Sequence, residues 1–144
     1  MALIGGKEYP EHLYYDLDDQ IWYEPLEDGT VRAGFTPAAM NLAGEILVFT
    51  PKRIGRRFES GKSFAIIEGG KWVGAAHAAF AGEVVGANAE LERRPGLLNE
   101  DPFGAGWMLI VSPDDANWRQ GLITGAAIQP AFSQWLARRI DQLP

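Results

Sequence analysis

Apolar residues in this chain come in short bursts, interrupted every few positions by glycine, proline, asparagine or acidic groups. "LYYD" at 13–16 and "IWYE" at 21–24 are aromatic-rich and predict strands, and "EDGTVRAGFT" predicts a hairpin arm entered through Asp28-Gly29. The runs "EILVF", "SFAIIE", "WVGAA", "GEVVGAN" and "GWMLIV" follow at the close spacing of a small sandwich or barrel. A single helical segment interrupts them. Thr36 before Pro37 is a start signal, "AAMNLA" supplies the body, and Gly44 stands where a C-terminal cap belongs, so a short helix is expected near 37–43. Towards the end of the chain the period changes. Ser112, Pro113 and Asp115 predict a helix start, Gly121 and Gly125 break it, and after Pro130 the residues Phe132, Trp135, Leu136 and Ile140 fall at helical spacing. Arg138 and Arg139 sit near the end of that helix, where cations suit its dipole. The expected architecture is mainly β: one domain over 1–144, with a β core at 13–111 and C-terminal helices in a 112–144 extension docked on the sheet.

A faint internal echo refines this picture. Gly44-Glu45-Ile46 recurs as Gly82-Glu83-Val84, and "GKSFAIIE" recurs loosely as "GAGWMLIV". Each copy closes a strand, loop, strand unit. Two such units predict a quasi-twofold β-barrel or sandwich, with Lys71 on the exposed turn that joins them.

Composition then narrows the function classes. The formal net charge is −6, which argues against a nucleic-acid footprint built from clustered Lys and Arg. The basic run "PKRIGRR" at 51–57 is short and reads as a solvated loop. There is no cysteine, so the chain itself offers no disulfide, thiolate nucleophile or cysteine metal site, and any redox chemistry belongs to a borrowed cofactor. "MALIGGKEYPEHL" has too short an apolar run for a signal peptide, and no segment approaches the roughly 18 apolar residues of a membrane span. A monomeric cytoplasmic protein is expected.

The candidate chemistry centres on "AIIEGGKWVGAA" at 65–76. A phosphate-binding loop would need glycine where Ala65 stands and a hydroxyl residue where Trp72 stands, so that reading fails at both ends. His12 and His77 are too few for a histidine metal site, no G-x-S-x-G elbow is present, and the carboxylates of "NEDPFG" at 99–104 lie among turn formers. No metal site is expected. Lys71 remains. Gly69 and Gly70 permit positive φ and keep bulk away, so a tight turn is expected to present the ammonium group to a partner enzyme. Ammonium groups in water are protonated at neutral pH and acylate poorly, so a modification there requires an enzyme that supplies an activated acyl group. A lysine that merely decorates a hairpin tip is the plain alternative.

The order of motifs resembles the lipoyl-carrier family, and specifically the H proteins of the glycine cleavage system. "LAGEILVF", "EGGKWVG", "AGEVVGANAEL" and "NEDPFGAGWMLIV" parallel that family's Leu-Gly-Asp, Glu-Ser-Val-Lys-Ala, Ser-Gly-Glu-Val-Val and Asn-Glu-Asp-Pro-Tyr-Gly-x-Gly-Trp segments over roughly residues 13 to 118. The resemblance implies a carrier with no active site of its own. Lys71 would be joined by an amide to lipoate, with Glu68, Gly69 and Gly70 forming its turn and Trp72 packing against the arm, shaping a docking face or simply filling a strand position. A lipoate-attaching ligase would load it. Glycine-cleavage carriers usually show His-Glu-Trp where this chain has Gln20-Ile21-Trp22, and a small residue where it has Trp72; "TPKRIGR", "GKWVG" and "LITGAAI" look instead like the lipoate-binding proteins of the sulfur-oxidising heterodisulfide-reductase-like pathway. That branch implies an arm shuttling sulfur intermediates to a heterodisulfide-reductase-like complex. The alternatives are an H protein carrying the aminomethyl group of glycine cleavage, and an unmodified binding or scaffold module in which Lys71 stays free.

Overall fold

Alternation of buried and exposed side chains sets the strands, and the glycine-bearing turns set where they reverse. In the computed structural model, residues 2–141 are described, with side chains through Arg138. The elements run in the order β1 (Ala2–Ile4), β2 (Lys7–Tyr9), β3 (Tyr14–Asp16), β4 (Ile21–Pro25), β5 (Val31–Phe35), α1 (Pro37–Ala43), β6 (Ile46–Pro51), β7 (Arg57–Phe58), β8 (Ser63–Gly69), β9 (Val73–His77), β10 (Gly82–Ala87), α2 (Ala89–Arg93), α3 (Leu97–Glu100), β11 (Leu109–Pro113) and α4 (Ile128–Asp141). Among the described residues they form a six-stranded sheet, β3-β4-β5-β11-β10-β7, a three-stranded sheet, β6-β8-β9, and the β1-β2 hairpin. The mainly β architecture expected from the sequence is what is found.

The two larger sheets enclose one core. Tyr23, Phe35, Val84 and Leu109 from the first meet Phe49, Phe64 and Ile67 from the second, all buried. Burial of such side chains supplies the main driving force for the fold. The sequence echo falls across this interface: Gly44-Glu45-Ile46 leads into β6 in one sheet, and Gly82-Glu83-Val84 starts β10 in the other. Both strands carry a bulge at the same point. The register of β6 on β8 shifts between Ile46 and Val48, and that of β10 on β11 shifts between Val84 and Gly86, leaving Leu47 and Val85 as the extra, exposed residues.

A smaller core joins residues outside the 13–111 segment to others within it. The β1-β2 hairpin, which the alternation did not predict, packs Ala2, Ile4 and Tyr9 against Ile128 and Phe132 of α4, with Tyr15 and Trp22 completing the cluster. Tyr9 and Phe132 pack with their rings tilted and centroids 4.9 Å apart, and Tyr15 meets Phe132 edge-on at 5.4 Å. The helix therefore docks through its aromatic stripe, as its spacing predicted. It begins at Ile128, so Pro130 lies inside the first turn, where its missing N–H is not needed. Arg139 and Ile140 fall beyond the described side chains.

The helix expected to start at Ser112 is not formed. β11 continues through Pro113, pairing Ser112 with Glu83, and turns follow. Two tertiary anchors override the local signal. Trp118 is buried against Tyr14 and Phe80, and Ile123 exchanges backbone hydrogen bonds of 2.8 and 3.0 Å with Tyr15. Asp115 caps a turn by accepting from the Asn117 amide rather than opening a helix.

Close packing of strand on strand makes one glycine indispensable. A Cβ on Gly34 would lie 2.5 Å from the Trp22 indole, which is fully buried and donates from Nε1 to the Pro102 carbonyl at 3.0 Å. We expect Gly34→Ala to cost about 1–3 kcal/mol of stability by overpacking, read as a lowered midpoint in urea unfolding with a blue-shifted or broadened tryptophan emission.

Candidate functional site

The turn between β8 and β9 is closed by its own backbone and fastened by its neighbour's. Glu68 pairs with Val73 across the ladder, and the Gly69 amide donates to the Trp72 carbonyl at 2.7 Å. The Gly70 amide then donates to the Glu45 carbonyl at 2.9 Å, and the Lys71 amide to the Ala43 carbonyl at 3.2 Å. The main chain of Lys71 is thus held by the segment that leaves α1, while its side chain is exposed. Among the described residues no ion pair to Lys71 is formed.

That exit segment has its shape because residue 44 is glycine. Gly44 adopts φ +75° and caps α1 by donating to the Met40 carbonyl. A Cβ there would meet Lys71 Cγ at 3.2 Å, so the lysine stem lies along the bare face of Gly44. The expectation of positive φ at Gly69 and Gly70 is not met: the left-handed residue is Gly44, and neither turn glycine joins it. Gly69 is needed for closeness instead, since a Cβ on it would lie 2.6 Å from the Ala43 carbonyl oxygen. Open space surrounds Gly70.

A third element secures the exit segment. Asn99 of α3 accepts from the Ile46 amide at 2.9 Å and donates to the Gly44 carbonyl at 2.8 Å, so one side chain holds both ends of the Gly44–Ile46 stretch. Asn99 belongs to the "NEDPFG" run, whose Asp101 is spent on the loop itself, accepting from the Ala105 amide at 2.9 Å. The positioning role of Asn99 had no local signal; its partners lie more than fifty residues away in the chain.

Beside Lys71 lies a cleft of about 480 Å³. Ala39, Met40 and Leu42 of α1 give it an apolar wall, Trp72, Ala75 and His77 line the β9 side, and Asp18, Asp19 and Gln20 close one end. Trp72 lies over Gly74, where any Cβ would run into the indole. Of the sequence-predicted residues, Lys71 and Trp72 meet at this cleft. Glu68 points away from the core on the outer face of β8, and Gly69 and Gly70 shape the turn without lining the cleft. Asp18 and Asp19 escaped notice because acidic residues between two strands read as turn formers.

The acidic end is held by an uncommon backbone. Gln20 has φ +58°, a conformation that costs a non-glycine residue on the order of 1 kcal/mol, and its buried side chain compensates. Its amide donates to the Leu17 carbonyl at 2.7 Å and its oxygen accepts from the Thr36 hydroxyl at 2.6 Å, the same hydroxyl that caps α1 at the Ala39 amide. The acidic turn and the start of α1 are therefore one unit. His77 Nδ1 lies 4.0 Å from Asp19. Burial, reinforced by the charge of Asp19, raises the Asp16 carboxyl to about 6. Among the described residues no cluster of three or more metal-ligating side chains forms, and no helix is long and apolar enough to cross a membrane.

Asn99→Ala should cost about 1–2 kcal/mol and accelerate hydrogen exchange at the Gly70 and Lys71 amides more than elsewhere, which site-resolved exchange would measure. For Asp16 the sign follows from its raised value. The folded state disfavours the carboxylate, so stability falls as pH rises from the ordinary 3.8 through about 6 and stays lower above it. Asp16→Asn should therefore raise the melting temperature at pH 7.5 and leave it unraised at pH 3.5.

Comparison with known proteins bears on this site. The family profile described as "Glycine cleavage H-protein" matches residues 13–134. Glycine cleavage system H protein 2 of Aquifex aeolicus is 38% identical over 134 residues, covering 92% of this chain and 83% of that protein. A probable glycine cleavage system H protein 2 of Saccharolobus solfataricus is 37% identical over 132 residues, covering 90% and 89%. The crystal structure of a glycine cleavage system H protein from Mycobacterium marinum superposes with a TM-score of 0.74 at 25% identity, covering 91% of this chain and 98% of that one. With its sheets, its exposed lysine turn and its matched length, the chain belongs to the glycine cleavage H-protein family, non-catalytic carriers that hold lipoate covalently on a lysine.

Proposed function

We propose that Lys71 is the lipoylated residue and that the protein is a single carrier domain of the glycine cleavage type, taking up and handing on an aminomethyl group. The observation that carries this reading is the combination at the β8-β9 turn: a pinned main chain, a free ammonium group, and a cleft at its side. Lipoate on the lysine nitrogen supplies a pair of sulfurs to which cargo is attached. The chain's own residues do the rest. Ala43 and Glu45 carbonyls fix the base of the arm, Gly44 leaves room for its stem, and Ala39, Met40 and Leu42 offer apolar surface that withholds water from a folded-back arm. Asp18 and Asp19 at the end of the cleft favour a cationic cargo such as an amine. A lipoate-attaching ligase and the enzymes that load and unload the arm are the partners this reading requires.

A second reading, transport of sulfur intermediates for a cytoplasmic heterodisulfide-reductase-like complex, draws on one feature. Gln20 and Trp72, two of the positions at which the sequence differs from the usual glycine-cleavage pattern, both line the cleft. Turnover by the lipoylated protein with the glycine decarboxylase decides between the two: efficient turnover keeps the first reading, and none, with loss of sulfur oxidation on gene deletion, moves the assignment to the second.

Lys71→Arg tests the attachment itself. The substituted side chain is exposed, so the variant should unfold within about 0.5 kcal/mol of the parent, yet intact-mass measurement after incubation with ligase, lipoate and ATP should show no lipoyl adduct. An adduct that persists would place the modification on another lysine.

A further inference from the structure

The large apolar side chains that remain exposed are not spread evenly. Of the nine among the described residues, Leu47, Val48, Ile66 and Val73 belong to the three-stranded sheet that ends in the Lys71 turn. Val73 is 67% exposed and Leu47 56%. The register gathers them on one face: Val48, Glu68 and Val73 stand side by side across β6, β8 and β9, and Thr50, Ile66 and Ala75 form the next row. Leu47, the extra residue of the β6 bulge, adds to the same strand. Phe49, Ala65, Ile67 and Ala76, at alternate positions, are buried in the core, so this face is the sheet's outward one.

We propose that this face is the docking surface for the enzyme that attaches the acyl group to Lys71. The inference rests on the reading that Lys71 is the modified residue. The turn alone offers an enzyme little to grip, since Gly69 and Gly70 have no side chains and the Lys71 stem lies along Gly44. Affinity must come from adjoining surface, and an aliphatic patch that starts two residues from the target lysine supplies it. Glu68 in the middle row and exposed Glu45 beside the turn make the patch apolar with an acidic component, so its complement is an apolar surface carrying a lysine or arginine opposite Glu68. The patch adjoins the cleft, since Ala75 belongs to both. The group transfer is ordinary acylation: the Lys71 ammonium gives one proton to a base of the enzyme, its nitrogen attacks the carbonyl of the acyl adenylate, AMP leaves with the bonding pair of the broken C–O bond, and the nitrogen releases its second proton to solvent as the amide forms.

The internal echo furnishes a control. Val85 is the bulge residue equivalent to Leu47, exposed on the other sheet, away from the turn. The test is ligation of lipoate to the full chain with purified lipoate–protein ligase and ATP, following adduct mass against carrier concentration. For Leu47→Lys/Val73→Lys, with melting temperature unchanged, KM for the carrier should rise roughly tenfold or more while kcat is retained; Val85→Lys should load like the parent. Light scattering should find parent and variant equally monomeric. Equal KM for parent and double variant overturns the docking surface and leaves Lys71 standing as the attachment point. A parent dimer dissolved by the double substitution also overturns it, because the face is then an interface between two copies. A parent that gains no adduct at Lys71 removes the functional reading and this inference together.

Discussion

Everything at the lysine turn depends on two amides donated across a gap between segments distant in the chain. The Gly70 and Lys71 N–H groups reach the Glu45 and Ala43 carbonyls only because α1 ends in a residue that turns left-handed and bears no side chain. Any other residue at 44 would meet both the backbone preference and the lysine stem. Asn99 then locks the stretch from a third element. The arrangement is a chain of dependence: α3 holds the exit of α1, and that exit holds the turn.

The paired bulges put this arrangement in the context of the whole sandwich. Two strands that begin with the same motif slip register at the same step, one in each sheet, which is what two copies of one unit facing each other would do. The copies are not equivalent in use. The first ends in the short β8-β9 turn, while the second spends its long connection on α2 and α3, from which Asn99 reaches back to support the first.

Much of this was legible in the chain. Strands at 14–16, 21–25 and 31–35, the helix capped by Thr36 and the stripe of α4 followed from local rules, because in each the side-chain period and the flanking residues agree with the tertiary setting. The motif order carried the family. The failures share a cause. The signal at Ser112 lost to Trp118 and to the pairing of Ile123 with Tyr15, and the β1-β2 hairpin depends on α4 more than a hundred residues later. Within the site, Lys71 stood out because charge beside two glycines is conspicuous. Asn99, Gln20 and the Asp18-Asp19 pair did not, since each looks like a turn residue until its distant partner is known.

The pinned main chain of Lys71 has a mechanical consequence. An arm mounted on a wandering loop would blur its delivery range by the loop's own excursions. With its amide bonded to the Ala43 carbonyl and that of Gly70 to the Glu45 carbonyl, the Lys71 main chain offers a fixed origin, and the reach of a group attached to its nitrogen would be bounded by the covalent length of side chain and group. Enzymes serving such a pivot can place their active sites at a constant depth, measured from the protein surface to the end of the tether.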